Sequence, residues 1–113
     1  MFGNGRQTRD FTFISDVVSA TRVASTAAGV AGEVFNIGGG SQIALIDALQ
    51  MIGDLAAGEL NVRYAEPQSG DARDTGADIS RARSRLDYAP AVAFTEGLGA
   101  QFEWTVEAAT ALQ

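Results

Sequence analysis

Gly3-Asn4-Gly5-Arg6-Gln7-Thr8-Arg9-Asp10-Phe11-Thr12-Phe13-Ile14-Ser15-Asp16-Val17-Val18 is the run on which the rest of the chain is organised. Gly3 and Gly5 permit backbone angles that a side chain forbids, and Thr8–Phe13 alternates as a half-buried strand does. Ser15 or Asp16 then offers an oxygen to the first free amides of a helix. The run therefore predicts a turn, a short strand and a capped helix. Its two arginines allow a sharper expectation, that Arg6 or Arg9, held at a rigid strand end, grips an anion.

Working outward, the first helix is expected from about Asp16 to Ala27, with Val17, Ala20, Thr21 and Ala24 as a narrow apolar face. Val34-Phe35-Asn36-Ile37 reads as a buried strand, and Leu45, Leu49, Ile52 and Leu55 recur at helical spacing within a helix from about Ala44 to Ala57. Leu60–Tyr64 reads as a further strand. Strand, helix and strand in succession predict a right-handed βαβ crossover, so Val34–Ile37 and Asn61–Tyr64 are expected to form a parallel pair. Asp78 caps a short helix whose buried side is Ile79, Ala82 and Leu86, with Arg81 and Arg85 on a solvated face. After Pro90, a long last helix from Thr95 or Glu96 to about Leu112 carries Leu98, Phe102, Thr105, Ala109 and Leu112 as one stripe, with Trp104 on its flank. The expected fold class is α/β: one small mixed domain over residues 1–113, with a βαβ parallel pair, a short additional strand or strands and a long C-terminal helix.

Composition narrows the chemistry. At 113 residues the chain is large enough for one modest core, and its 46% hydrophobic content includes no long uncharged apolar run. No secretory signal or membrane span is read, and the expected compartment is cytoplasmic. There is no cysteine, no histidine and no lysine, and all eight basic residues are arginine. That excludes thiolate chemistry, imidazole triads, Schiff bases and the P-loop lysine. A net charge of −6 and a pI near 4.4 argue against nucleic-acid binding, although Arg81, Arg83 and Arg85 cluster. An anionic ligand has to be held locally by one or two arginines. Gly38-Gly39-Gly40 invites comparison with a dinucleotide loop, but Gly-x-Gly-x-x-Gly would need glycine where Ile43 stands. A tight strand-to-helix turn is expected instead. Glu66–Thr75 lacks apolar periodicity and is a loop in which Asp71 and Arg73 either pair, stand solvated, or serve a ligand.

Four collinear segments resemble one family. Gly-x-Gly-x-Gln-Thr-Arg-Asp-Phe-Thr-Phe-Ile-x-Asp-Val-Val, Gly32-Glu-Val-Phe-Asn-Ile-Gly38, Ser69-Gly-Asp-Ala-Arg-Asp-Thr-Gly-Ala-Asp-Ile-Ser80 and Leu86-Asp-Tyr-Ala-Pro90 with Phe94-Thr-Glu-Gly-Leu98 are similar to the C-terminal, substrate-binding part of extended short-chain dehydrogenase/reductases. That is the family of UDP-glucose 4-epimerase and the nucleotide-sugar dehydratases. The resemblance implies that the Gly70-Asp71-x-Arg73 loop closes over a nucleotide, with Arg73 on the diphosphate and Asp71 near ribose hydroxyls. It implies Arg9 as the second arginine of that clamp and Gln7 as a weaker contact to sugar or ribose hydroxyls. Paired guanidinium forks suit phosphate oxygens.

The family's NAD loop and its Tyr-x-x-x-Lys lie before the region matched, and this chain, with only Tyr64 and Tyr88 and no lysine, does not supply them. The expectation is a fragment that is catalytically inactive alone and binds no cofactor itself, NAD belonging to the full-length family. Met1, close to the Gly-x-Gly turn, fits a natural start or an internal boundary. The expected partner is a nucleotide-sugar such as a UDP-hexose, with 4-epimerisation as the parent activity and dehydration as the alternative. Other expectations are a non-catalytic module that binds nucleotide-sugars or another protein, and a remnant that only assembles, as a homodimer through apolar surface exposed by a missing Rossmann domain.

Overall fold

The computed structural model describes residues 1–113. The opening run forms strand β1 (Thr8–Arg9) and helix α1 (Ile14–Thr26); β2 (Ile43–Ala44) leads directly into α2 (Leu45–Leu55), followed by α3 (Ser80–Leu86) and α4 (Phe94–Ala111). β1 and β2 pair antiparallel, Thr8 opposite Ala44 and Arg9 opposite Ile43. Two isolated parallel bridges, Phe2 with Ala65 and Thr8 with Asp74, tie the opening turn to later loops. The chain is thus a small mixed α/β fold with a long last helix.

Its sheet differs from the one anticipated. Val34–Ile37 and Asn61–Tyr64 are extended but form no ladder, with each other or with anything else. Each is drawn to a different part of the molecule. The 61–65 segment runs beside the N-terminus, where the Gly3 amide donates to the Ala65 carbonyl at 2.9 Å and the Ala65 amide to the Met1 carbonyl at 2.7 Å. Val34–Ile37 instead lays Phe35 and Ile37 on the small core of Ala20, Val30, Ile79, Ala82, Leu86 and Tyr88. Its carbonyl neighbours are side chains: Arg81 Nη1 donates to Val34 O at 3.2 Å, and the Tyr88 hydroxyl to Gly38 O at 2.7 Å. Phe35 and Ile37 thus meet helices rather than a neighbouring strand, and the alternation of these residues produced no pairing.

The helix starts also shifted. α1 begins at Ile14 with Phe13 at its cap position and no side-chain cap. Asp16, expected near that cap, is instead buried at 5% exposure and accepts the Ala91 amide at 3.0 Å and the Val92 amide at 3.2 Å. Joining α1 to the segment before α4 takes precedence over capping, because the buried carboxylate needs donors and finds two in those amides. Thr21, expected on the apolar face, is exposed and returns its hydroxyl to Val17 O. In α3, Asp78 accepts the Ser80 amide at 3.0 Å as anticipated. Arg85 is held, though still exposed: its Nη2 donates to Gly29 O at 2.7 Å and lies 3.2 Å from Glu33. Asp87, at φ 53°, ends α3 in a left-handed turn that lets the Tyr88 amide reach Ala82 O.

α4 packs against α2 in its first half only. Gly97 is buried because the Phe13 ring lies over it, leaving a Cβ at Gly97 only 2.9 Å from Phe13 Cδ2. Beyond Phe102 the helix stands out: Thr105, Ala109 and Leu112 of the anticipated stripe are exposed, as is Trp104.

Candidate functional site

The β1–β2 pair holds a cleft on one side, between the opening Gly-x-Gly turn and the 64–73 loop. Its volume is about 660 Å³, and Arg6, Gln7, Tyr64, Glu66, Asp71 and Arg73 are among its lining residues. The turn forms because Gly3 and Gly5 adopt φ of 69° and 77°. At Gly5 a side chain would also have no room, since an added Cβ would lie 2.7 Å from Met1 Sδ. Asn4 steadies the turn by accepting the Arg6 amide at 3.0 Å. On the facing wall Gly70, at φ 86°, lets the loop reverse before Asp71.

Backbone pairing brings the two walls together. The Thr8 amide donates to Arg73 O at 2.9 Å and the Thr75 amide to Thr8 O at 3.1 Å. The Thr8 hydroxyl also donates to Asp74 Oδ1 at 2.7 Å. Residues far apart along the chain are thereby set side by side.

Of the four residues singled out from the sequence, Gln7, Asp71 and Arg73 line the cleft. Arg9 stands beside it, joined to the wall rather than facing the opening. Its Nη2 meets Asp71 Oδ1 at 2.8 Å, and its Nη1 donates to Thr8 O at 2.7 Å and Arg73 O at 3.2 Å. Gln7 donates its amide nitrogen to Phe2 O at 3.0 Å, so the carboxamide oxygen is the end left for a ligand. Arg73 is open to solvent: its side chain is 82% exposed and makes only a loose 3.9 Å approach to Asp74. Two further lining residues matter chemically: Arg6, which the sequence offered as the alternative to Arg9, and Tyr64, which it did not single out. Arg6 joins Arg73 as a second guanidinium on the cleft, and Tyr64 presents a ring that is 59% exposed. Tyr64 had a signal, an aromatic at the end of an extended run just before a polar loop; Arg6 was ambiguous with Arg9 because both flank the same strand.

The cleft is less hostile to an anion than the chain as a whole. Arg6 and Arg73 offset Glu66 and Asp71 in the lining, so the cleft is neutral within a chain of net charge −6. Guanidinium forks there can meet phosphate oxygens, Gln7 and Asp71 can meet hydroxyls, and Tyr64 can meet a planar ring.

The glycine triplet has a different role. An added Cβ at Gly38 would lie 2.6 Å from Asp10 Oδ2, and one at Gly39 2.5 Å from Phe11 O. Asp10 Oδ1 accepts the Gly39 amide at 2.7 Å. These glycines admit a carboxylate of the chain itself, and that carboxylate would repel a pyrophosphate. The residues at this triplet do not fit the pyrophosphate of a dinucleotide. No helix is long and apolar enough to cross a membrane.

Comparison with known proteins agrees with this fold. Residues 1–100 match the family model described as GDP-mannose 4,6 dehydratase. The UDP-glucuronate 4-epimerase of Thermodesulfobacterium geofontis is 32% identical over 108 residues, covering 95% of this chain and 33% of that protein. A dTDP-glucose 4,6-dehydratase of Xanthomonas campestris is 30% identical over 114 residues, covering 92% and 32%. Among solved structures, the UDP-glucuronic acid 4-epimerase from Bacillus cereus in complex with UDP-glucuronic acid and NAD superposes with a TM-score of 0.89 at 34% identity. That match covers 96% of this chain and 35% of the epimerase. The chain spans about one third of the length of the relatives it matches. With the match running through β1, the cleft loop and the start of α4, the chain belongs to the NAD-dependent epimerase/dehydratase family of short-chain dehydrogenase/reductase proteins.

Proposed function

We propose that this chain is the C-terminal, nucleotide-binding part of a nucleotide-sugar epimerase, and that its cleft takes the nucleotide diphosphate of a UDP-hexose. The observation that carries this is the convergence of Gln7, Asp71 and Arg73 on one cleft with Arg9 bonded at its edge. Arg73 and Arg6 are the free guanidinium groups for the diphosphate, Gln7 Oε1 and Asp71 accept from hydroxyls, and Tyr64 offers a face to the base. Support comes from relatives whose structures hold UDP-sugars and NAD. Dehydration of a nucleotide-sugar is the neighbouring activity, since dTDP-glucose 4,6-dehydratases match over the same residues.

The chain alone is proposed to be inactive. Oxidation and reduction of a sugar carbon need a hydride carrier and a group that removes a proton. No lysine is present to form Tyr-x-x-x-Lys, and the glycine triplet is closed by Asp10. Residual function is therefore binding. Self-association is a second reading, favoured by the exposure of Ile14 and Val18 on α1 and of Trp104 on α4, at 65%, 58% and 64%.

The test is an amide NMR titration of the labelled protein with UDP and then a UDP-hexose, repeated on Arg9→Ala and Arg73→Ala. Saturable shifts clustered at Gln7–Arg9 and Gly70–Arg73, and lost in both variants, are the expected result. A dispersed spectrum that millimolar UDP leaves unmoved overturns the binding reading. Sedimentation of the same samples reads the oligomeric state: a monomer throughout removes the self-association reading.

A further inference from the structure

α2 and the chain that follows it enclose a groove of about 770 Å³ that has no basic residue in its lining. Ile46, Leu49 and Val62 are half-buried there and Leu60 is 37% exposed, while Asp47, Asp54 and Glu59 stand exposed alongside them. None of the three carboxylates meets a cation. The ion pairs of the chain are Arg9–Asp71, Arg73–Asp74 and Arg85–Glu33, and the one side-chain bond to this set is donated by the Gln50 amide to Asp54 Oδ1 at 3.1 Å. Nor is a cation close along the chain, because no lysine or arginine occurs between Arg22 and Arg63. Gly53, Ala57 and Gly58 bring the end of α2 into the groove, and its last turn carries no basic residue. The negative pole of the helix therefore adds to the carboxylates.

We propose that this groove docks a basic amphipathic helix of a partner protein, with apolar side chains entering between Leu49 and Leu60 and Lys or Arg meeting Asp47 and Asp54. Half-covered apolar side chains beside unpaired carboxylates are the complement of such a helix. The spacing sets its pattern. Asp47 and Asp54 lie seven residues apart on α2, two turns or about 10 Å along the axis. A helix lying alongside α2 answers them with cations at i and i+7 and fills the groove from i+3 and i+4. A second copy of the chain is the poorer occupant. Face to face it sets these carboxylates against their own kind, and Arg81 and Arg85 of α3 are already engaged by Val34 O, Gly29 O and Glu33. No residue of the nucleotide cleft lines this groove, so docking here is independent of nucleotide binding.

The experiment follows the fluorescence anisotropy of a labelled peptide of about 18 residues, with leucines on one helical face and lysines seven apart beside them, as the whole chain is added. A second peptide has the same composition in scrambled order. Two double variants each remove two charges: Asp47→Asn with Asp54→Asn in the groove, and Glu103→Gln with Glu107→Gln at exposed positions of α4 outside it. The patterned peptide is expected to bind, and the scrambled one to bind about tenfold more weakly or worse. The groove variant is expected to weaken the patterned peptide by about tenfold, the loss of two exposed ion pairs, and the α4 variant by no more than about twofold. Equal weakening by the two variants, or equal binding of the two peptides, would reduce the effect to net charge and overturn the proposal. So would a patterned peptide that stays unbound at about millimolar chain. The comparison of the peptides on the wild-type chain stands even if a variant fails to fold. Sedimentation without peptide reads the other occupant: a dimer that dissociates in the groove variant would make this face a contact between copies and overturn the partner helix.

Discussion

Replacing Asp16 with alanine is among the most severe single changes the structure offers outside the cleft. Asp16 is 5% exposed, and its two oxygens accept the Ala91 and Val92 amides at 3.0 and 3.2 Å, joining α1 to the chain entering α4. Alanine leaves both part-buried amides without this acceptor. A buried donor stripped of its partner costs about 1–3 kcal/mol, and two part-buried ones amount to roughly 2–3 kcal/mol. A chain of this length has a total stability of about 6–17 kcal/mol, and a loss of that size lowers Tm by about 10–20 °C. Asp16→Asn keeps one carbonyl oxygen and is expected to lose about 1–2 kcal/mol. Urea unfolding followed by far-UV circular dichroism and by Trp104 fluorescence measures both. If Asp16→Ala unfolds within about 0.5 kcal/mol of wild type, the two amides do not depend on this carboxylate and the reasoning is wrong.

Other consequences follow from close approach and from titration. Gly39→Ala places a methyl group 2.5 Å from the Phe11 carbonyl and 2.9 Å from Asp10 Oδ1; backbone cannot yield cheaply, so thermal melts should show a loss of about 2–3 kcal/mol. Gly97→Ala gains about 1 kcal/mol of helix propensity but drives Cβ to 2.9 Å from the Phe13 ring, and urea melts should show a net loss of about 1 kcal/mol. Burial raises the Tyr88 pKa above 10.0, with the Asp16 and Asp10 charges adding to it. Folding therefore favours the neutral phenol: this contribution is whole below pH 10.0 and is lost as pH climbs through the raised value. Ultraviolet titration should show Tyr88 ionising above pH 10.0, and Tyr88→Phe should flatten that alkaline decline. At the acid end, bonds from Ser80 hold Asp78 below 3.8. Its contribution is present above that value and lost as pH falls through the lowered one, so Asp78→Ala should remove that part of the acid transition.

Much of the site was legible along the chain because its chemistry lies in short local patterns. Gly-x-Gly before a strand, and Gly70 before Asp71, announce turns through backbone freedom alone, and polar loop residues beside them are where ligands are met. Gln7, Asp71 and Arg73 do meet at one cleft. What the pattern could not tell was which cation faces outward. Arg6 and Arg9 read alike in sequence, yet Arg9 is engaged by Asp71 and two carbonyls while Arg6 lines the opening. Asp16 shows the same limit: a carboxylate in a first helical turn suits a cap, and only the position of residues 91 and 92 reveals a stronger use.

The sequence by itself determined the four helices, the α/β class and the glycine turns, since periodicity and φ preference act within a few residues. Tertiary structure alone decided that Thr8–Arg9 pairs with Ile43–Ala44, that Val34–Ile37 and Asn61–Tyr64 stay unpaired with each other, and that Arg9 meets Asp71 62 residues away. Those choices are competitions between distant groups for the same few donors, acceptors and apolar faces, and no local window contains both competitors.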